Sequence, residues 1–351
     1  MTIPQCVLLA RTDHCSQVYA GFSMLAEAGV IWLRQRLAKP HCPPLEVIVN
    51  DSTKICYDVF DGGQIPYRAA LESCDYYFKR SFLQSEVPAA YRDKVFPLGL
   101  FYPVFPDQVD RYQLQRCLFL GGGTGARLKM LLRLVLDGVG LGSLLPGFTP
   151  TTSRLHQLPR PTKRPRVIFM ARAWDPDAPE VSGKPELQEE RHRINVARVR
   201  FIELLRKEFG DRFTGGLAHD DFTVRKFKQV LVPDARMASR SNYLTALREH
   251  SIGIATVGLH GSIGGKLGEY VAFSKAVVSE PLPFELPGQF SKNVHYLEFQ
   301  AEDDLVNQVA RLSEEEDTRN CMAQANLEYY LGFLRPDQLV KNTLIKAKVL
   351  P

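Results

Sequence analysis

"LHGSIGGKLGEYVAFSKAVVS", Leu259 to Ser279, places His260, a cluster of glycines, Lys266 and Glu269 just ahead of an apolar run that reads as a buried strand. The spacing predicts a helix starting near Ser262, with Ile263, Leu267, Tyr270 and Val271 sharing one face at i, i+4, i+7 and i+8. Ser262, Lys266 and Glu269 then fall together on another face, close to the helix N-terminus. Two readings of that grouping stand. In the first, Gly258, Gly261, Gly264 and Gly265 permit close backbone approach, unpaired N–H groups and the helix dipole attract phosphate oxygens, and Lys266 adds a point charge. Glu269 is then placed to accept the hydroxyls of a ribose. In the second, Lys266 and Glu269 form an exposed helix pair worth a few tenths of a kcal/mol.

Outward from this stretch the pattern repeats. "RVIFMAR" (Arg166 to Arg172) reads as a strand and Glu186 to Phe209 as a long helix with Ile194, Ala197, Phe201, Leu204 and Leu205 on one stripe. "SNYLTALREH" reads as a helix, "IGIATV" as a strand and "VHYLEF" (Val294 to Phe299) as the last strand, with two helices following through Arg335 and one more to the end of the chain. Arg172 ends a strand, where open α/β sheets bind ligands, and serves there either as a phosphate fork or as a surface residue.

The first half has the same logic. "CVLLAR" (Cys6 to Arg11) reads as a strand, Tyr19 to Ala38 as a helix, and "LEVIVN", "CYDVFD", "DYYFKR" and "KVFPLG" as further strands, the signature of a parallel α/β layer. The proline- and arginine-containing segment from Gly147 to Arg166 has no periodicity and reads as an interdomain linker. The expected organisation is an N-terminal domain over 1–150, a linker over 151–165, a second domain over 166–335 and a C-terminal helix over 336–351.

Composition narrows the classes. The chain has 351 residues, 45% hydrophobic and 24% charged, with a formal charge of +5 spread along its length, which suits an anionic small ligand and argues against nucleic acid. Seven scattered cysteines with no C-x-x-C spacing read as reduced thiols of a cytoplasmic protein. The N-terminus shows no secretory signal pattern. The apolar window around Arg133 and Asp137 is interrupted by those charges, so it reads as a domain-packing helix or, from Arg127 to Leu136, as a peripheral membrane contact. No metal-ligand spacing is present. "FLGGGTGARLKM" sets Gly121, Gly123 and Ala126 in a dinucleotide-loop frame, but the strand before it is short and no acidic residue follows at the required distance.

"GLHGSIGGKLGEYVAFSKAVVSEPLPFELPG", with "RVIFMARAWDP" before it and "NLEYYLGFLRPDQLV" after it, resembles the nucleotide-sugar-binding half of GT-B-fold glycosyltransferases. The resemblance covers roughly Arg166 to Val340 and, more vaguely, the N-terminal half. It implies an α/β fold of two Rossmann-like domains facing a cleft, with a nucleotide-diphosphate sugar as donor substrate, no other cofactor and no obligatory metal. In that frame Arg172, His260, Gly261, Ser262, Lys266 and Glu269 hold the donor, and the acceptor is a glycan, a lipid-linked group or a small molecule. Many retaining members carry a second Glu eight positions before the ribose Glu; here that position is Gly261, which favours inversion. An inverting transfer needs a general base, expected from the N-terminal domain. Asp13 and His14, directly after the first strand, are one candidate pair, with a helix-capping Asp as the alternative. Asp61 is a second candidate base, with an Asp-Gly turn as its alternative. Lys79 and Arg80 are placed to meet acceptor or phosphate, or in the case of Arg80 to face solvent. A sugar-nucleotide epimerase of the same fold and a non-catalytic nucleotide-sugar-binding protein remain as rival readings.

Overall fold

The computed structural model describes residues 3–10, 13–37, 45–107 and 151–351, together with 124, 125, 128, 131, 132, 135, 136 and 139. The chain divides into two compact units. The first comprises Met1–His156, Phe284–Gly288 and Leu331–Pro351, and the second Gln157–Pro283 with Gln289–Tyr330.

The first unit begins with β1 (Gln5–Ala10), α1 (Ser16–Glu27), β2 (Trp32–Leu37), β3 (Leu45–Val49), β4 (Thr53–Asp58), α2 (Arg68–Ser73), β5 (Tyr76–Lys79) and β6 (Val95–Pro97). These strands form a six-stranded sheet in the order β2-β1-β3-β4-β5-β6. It is not wholly parallel as the sequence predicts: β3 runs antiparallel to both β1 and β4. The reversal is a hairpin whose connecting Asn50 and Asp51 both take positive φ, a conformation these two residue types tolerate. The helix expected over Tyr19–Ala38 is also divided. Gly29, at φ +70°, takes the left-handed position just past the helix end, Val30 N–H returns to the Leu25 carbonyl at 2.9 Å, and the rest of the stretch becomes β2.

The second unit contains β7 (Val167–Ala171), α3 (Pro185–Phe209), β8 (Phe213–Leu217), α4 (Asp221–Lys226), α5 (Arg240–Glu249), β9 (Ile252–Ala255), α6 (Gly265–Ala272), β10 (Ala276–Ser279), β11 (Leu297–Glu298), α7 (Glu302–Glu314) and α8 (Glu316–Tyr329). Its five strands are all parallel, in the order β11-β10-β9-β7-β8. The apolar runs of β7, β9 and β10 are buried, as in sheets covered on both faces. From β7 the chain passes to β8 on one side and later returns to β9 on the other, so the order reverses between β7 and β9. Ligands of open α/β sheets bind at the carboxyl ends of strands at such a point.

The chain closes with α9 (Pro336–Lys346), which belongs to the first unit and is not a separate element. Leu339, Val340 and Leu344 join the core formed by Leu8, Phe22, Val47 and Tyr57, and the Tyr57 hydroxyl lies 2.6 Å from Thr343 Oγ1. The expected linker is divided as well, its residues up to His156 belonging to the first unit and those from Gln157 to the second.

Gly121, Gly123 and Ala126 lie outside the described residues. Within the Arg127–Leu136 stretch, the described Leu128, Leu132 and Val135 are exposed. Among the described residues no helix is long and apolar enough to cross a membrane, and no group of three or more His, Cys, Asp or Glu is placed to hold a metal ion.

Candidate functional site

The carboxyl ends of β7 and β9 are tied together by Arg198, a buried residue on α3. Its guanidinium donates to the Arg172 carbonyl (2.7 Å), Thr256 Oγ1 (3.3 Å) and the Val257 carbonyl (3.1 Å). Burial pulls its pKa down to about 10. Glu280, just past β10, accepts from the Val257 N–H at 2.7 Å, and Glu190 accepts from the His260 N–H at 2.6 Å. The segment after β9 is therefore anchored from three sides. It folds into a tight turn in which Gly258 N–H donates to the Ser262 carbonyl and Ser262 N–H to the Leu259 carbonyl, with His260 and Gly261 both at positive φ.

The helix begins at Gly265, not near Ser262. Ile263 is paired with Val257 in a β-bridge, and Ser262 is buried within the turn, so neither lies on the helical faces the spacing predicts. Leu267, Tyr270 and Val271 do pack inward. Close packing of α6 on the sheet requires Gly253 in β9, because a Cβ there would stand 2.6 Å from the Tyr270 ring. No side chain caps α6 at its Gly264 end.

Lys266 and Glu269 are paired, but not as an exposed helix couple. Glu269 is 3% exposed, and Lys266 Nζ lies 3.6 Å from its Oε2. A third residue completes the group: Arg240, at the start of α5, donates from Nη1 to Glu269 Oε1. Burial drives the Glu269 carboxyl up, but Lys266 and Arg240 outweigh it and hold the group below its ordinary value. Lys266 Nζ also sits 3.1 Å from the centroid of the Tyr243 ring. Although its side chain is 39% exposed, desolvation of the ammonium is the largest influence on it; Glu269 opposes this, Arg240 and Arg172 add to it, and the pKa falls to about 8. Arg172 is thus close enough to be felt by Lys266. It is exposed and has no carboxylate partner among the described residues.

Two cations, Lys266 and Arg240, thus converge on one buried carboxylate, and Arg172 stands near Lys266. Polar atoms are left over: Glu269 Oε2 and Arg240 Nε and Nη2 are buried without hydrogen-bond partners. Each such atom costs about 1–3 kcal/mol. An excess of positive charge with unsatisfied donors suits a diphosphate, and a sealed acceptor oxygen suits a hydroxyl donor.

Arg240 and Tyr243 were not legible as site residues, since the groups they meet, Glu269 and Lys266, lie more than twenty positions further along the chain. One signal exists. An arginine in the first turn of a helix opposes the helix dipole, and such a placement is informative when the residue is partly buried.

The candidates of the first unit are placed differently. Asp13 and His14 lie on a 3-10 turn, Asp13–Cys15, following β1. His14 is exposed, while the Asp13 side chain lies outside the described part. The N-cap of α1 is Cys15, not Asp13. Asp61 is engaged by Arg80 in an ion pair and is half exposed. Arg80 does not face solvent: its side chain is largely buried and its guanidinium lies 5.4 Å from the Phe101 ring centroid. Lys79 is withdrawn entirely. It is fully buried against Asp58, 3.2 Å away, whose other neighbours are the Tyr77 hydroxyl and the Phe60 N–H, each 2.8 Å from the carboxylate. In this position Lys79 reaches no acceptor or phosphate.

No family model matches the chain, and no curated protein sequence matches it. Solved structures do. An alpha1,3-fucosyltransferase is similar over 99% of this chain and 89% of its own, at 12% identity and a TM-score of 0.45. HepE from Anabaena, solved in complex with UDP, is similar over 98% of this chain and 79% of its own, at 10% identity and a TM-score of 0.42. The C-terminal domain of the glycosyl transferase group 1 family protein LpcC from Francisella tularensis is similar over 51% of this chain and 95% of its own, at 15% identity and a TM-score of 0.33. These likenesses are distant, and nothing about the activity of this chain is drawn from them.

Proposed function

We propose that the second unit binds the diphosphate and ribose of a nucleotide sugar at Arg172, Lys266, Arg240 and Glu269, and that the protein transfers the sugar to an acceptor hydroxyl. The observation that carries this reading is the sealed Glu269 carboxylate, flanked by Arg240 and Lys266, of which Oε2 has no hydrogen-bond partner, the Lys266 ammonium standing 3.6 Å away. A ribose reaches that oxygen only when Lys266 moves off the Tyr243 ring. A diphosphate supplies the reason for the move, because it offers the ammonium a stronger partner at the α6 N-terminus. Binding therefore exchanges an internal ion pair for two ligand contacts, with phosphate on Lys266 and ribose on Glu269. Arg172, Lys266 and the first-turn N–H groups then stabilise the charge that develops on the leaving diphosphate.

Inversion is the reading we favour for the stereochemistry. Gly261 stands where a retaining enzyme of the resembling family carries its second Glu, and its φ of +66° would strain any side chain placed there. For the general base, His14 is exposed on the turn after β1, and Asp61 is paired with Arg80.

The test is thermal denaturation with a panel of nucleoside diphosphates and their sugars, using wild type, Glu269→Ala and Lys266→Ala. One nucleotide at a hundredfold excess over its dissociation constant adds about 2.7 kcal/mol to wild type and nothing to either variant. No stabilisation by any nucleotide removes the donor site and the transferase reading with it. Turnover of the bound sugar nucleotide with no acceptor present, giving an epimerised donor, assigns the epimerase activity instead. Binding without turnover, unaffected by His14→Ala and Asp61→Ala, leaves a binding protein.

A further inference from the structure

At the amino ends of β9 and β10, the end of the second sheet opposite to Arg172 and the turn after β9, lies a separate cavity of about 230 Å³. Its lining includes Arg160, Arg248, His250, Ser274, Lys275 and Arg319. The one acidic side chain lining it, Glu249, is largely exposed and pairs with Arg166 at 3.6 Å. Among the cations gathered there, Arg160 and Lys275 have no acidic partner among the described residues.

Part of this charge has an ordinary structural use. Arg319 donates to the Leu312 and Ser313 carbonyls at the end of α7 and to the Thr162 carbonyl, satisfying groups that helix termini leave open. Lys275 has no such use. It is 4% exposed, and its ammonium makes one long contact, 3.4 Å to Gln157 Oε1, with no acid beside it. Burial and the neighbouring Arg160 and Arg248 pull it down to about 7, as expected of a cation held among cations. His250 adds a second requirement. It is 2% exposed, its Nδ1 is taken by the Ala246 carbonyl, and its Nε2 has no partner. Nδ1 facing a carbonyl carries the ring proton, so Nε2 is a bare acceptor inside a positive cavity.

A ligand that satisfies both needs carries negative charge and an O–H on the same small group. We infer that this cavity binds a small phosphoryl anion, with the oxyanion on Lys275 and Arg160 and a P–OH donating to His250 Nε2. Hydrogen phosphate and a phosphate monoester in its singly protonated form share this chemistry. Sulfate matches the charge but has no hydroxyl at neutral pH, which makes it a discriminating probe.

The experiment compares thermal stability of the full chain in sodium phosphate, sodium sulfate and sodium chloride at matched ionic strength and pH 7, and follows phosphate binding by calorimetry. Phosphate is expected to stabilise more than sulfate, and sulfate more than chloride. Arg160→Gln, at an exposed position that tolerates substitution, and Lys275→Met are each expected to weaken phosphate binding at least tenfold, whereas Lys266→Gln at the other end of the sheet retains it. Phosphate no better than chloride overturns the site. So does an effect that survives Arg160→Gln and Lys275→Met but disappears in Lys266→Gln, which places the phosphate at the proposed donor site. Phosphate and sulfate acting equally overturns the role given to His250. A phosphate monoester, glycerol 3-phosphate, separates the two sources: binding tighter than inorganic phosphate identifies a monoester ligand, and exclusion identifies the free anion.

Discussion

Arg240 spends one of its five donors on Glu269 and keeps two buried nitrogens unused. Arg240→Gln is therefore expected to weaken nucleotide binding by roughly ten- to a hundredfold, the loss of one charged hydrogen bond of about 1.5–3 kcal/mol, as read by calorimetry with the nucleotide that stabilises wild type. The variant also leaves Lys266 as the main cation opposing the burial of Glu269. Lys79 shows the other use of a buried charge. Lys79→Ala strands Asp58 in the core and is expected to cost about 3–5 kcal/mol in urea denaturation, while the double variant Asp58→Leu with Lys79→Met costs much less. Lys275 gives a pH prediction. Its folded-state value of about 7 lies below the unfolded value of roughly 10.4, so across that window the unfolded chain holds the extra proton and the folded form gains stability as pH rises. Lys275→Met without phosphate should accordingly melt higher than wild type at pH 7, and the gap should narrow toward pH 10. Local spacing and a strand end single out Lys266, Glu269 and Arg172 in the sequence, and the structure places the three near one another. Sequence reading missed Arg240, Arg198 and Asp58, whose roles arise from partners distant in the chain.

At the level of elements, α6 is positioned by Gly253. A Cβ there would meet three atoms of the Tyr270 ring at 2.6–2.7 Å, and that ring is fully buried with no room to yield. Gly253→Ala is expected to cost about 1–3 kcal/mol and to lower nucleotide affinity, because α6 carries Lys266 and Glu269 away from Arg240 as it shifts. Differential scanning calorimetry and nucleotide titration check the two parts. The apolar strands of the second sheet and the long α3 were legible from hydrophobic pattern alone. β8 was not, since its "FTGGL" has a glycine pair of low strand propensity and is stabilised by pairing with β7. The split of α1 from β2 was equally hidden: leucines and arginines in "WLRQRL" satisfy a helical period, and only the backbone at Gly29 redirects the chain.

For the whole molecule, the division between units does not follow the order of the chain. Deleting 336–351 removes Leu339, Val340 and Leu344 from the first core, so limited proteolysis of the truncated protein is expected to digest the first unit while leaving a resistant fragment of the second. The arrangement also bears on synthesis. A ribosome completes β1 to β6 before any strand of the second unit, yet α9, which covers their core, emerges only after all the strands of both units. The second unit has all of its strands and helices by Tyr330 and is free to fold before the first unit is closed. Of the two units, the one whose strands are made first is thus the one that closes last, and until α9 arrives the nascent chain carries an open apolar sheet in need of protection.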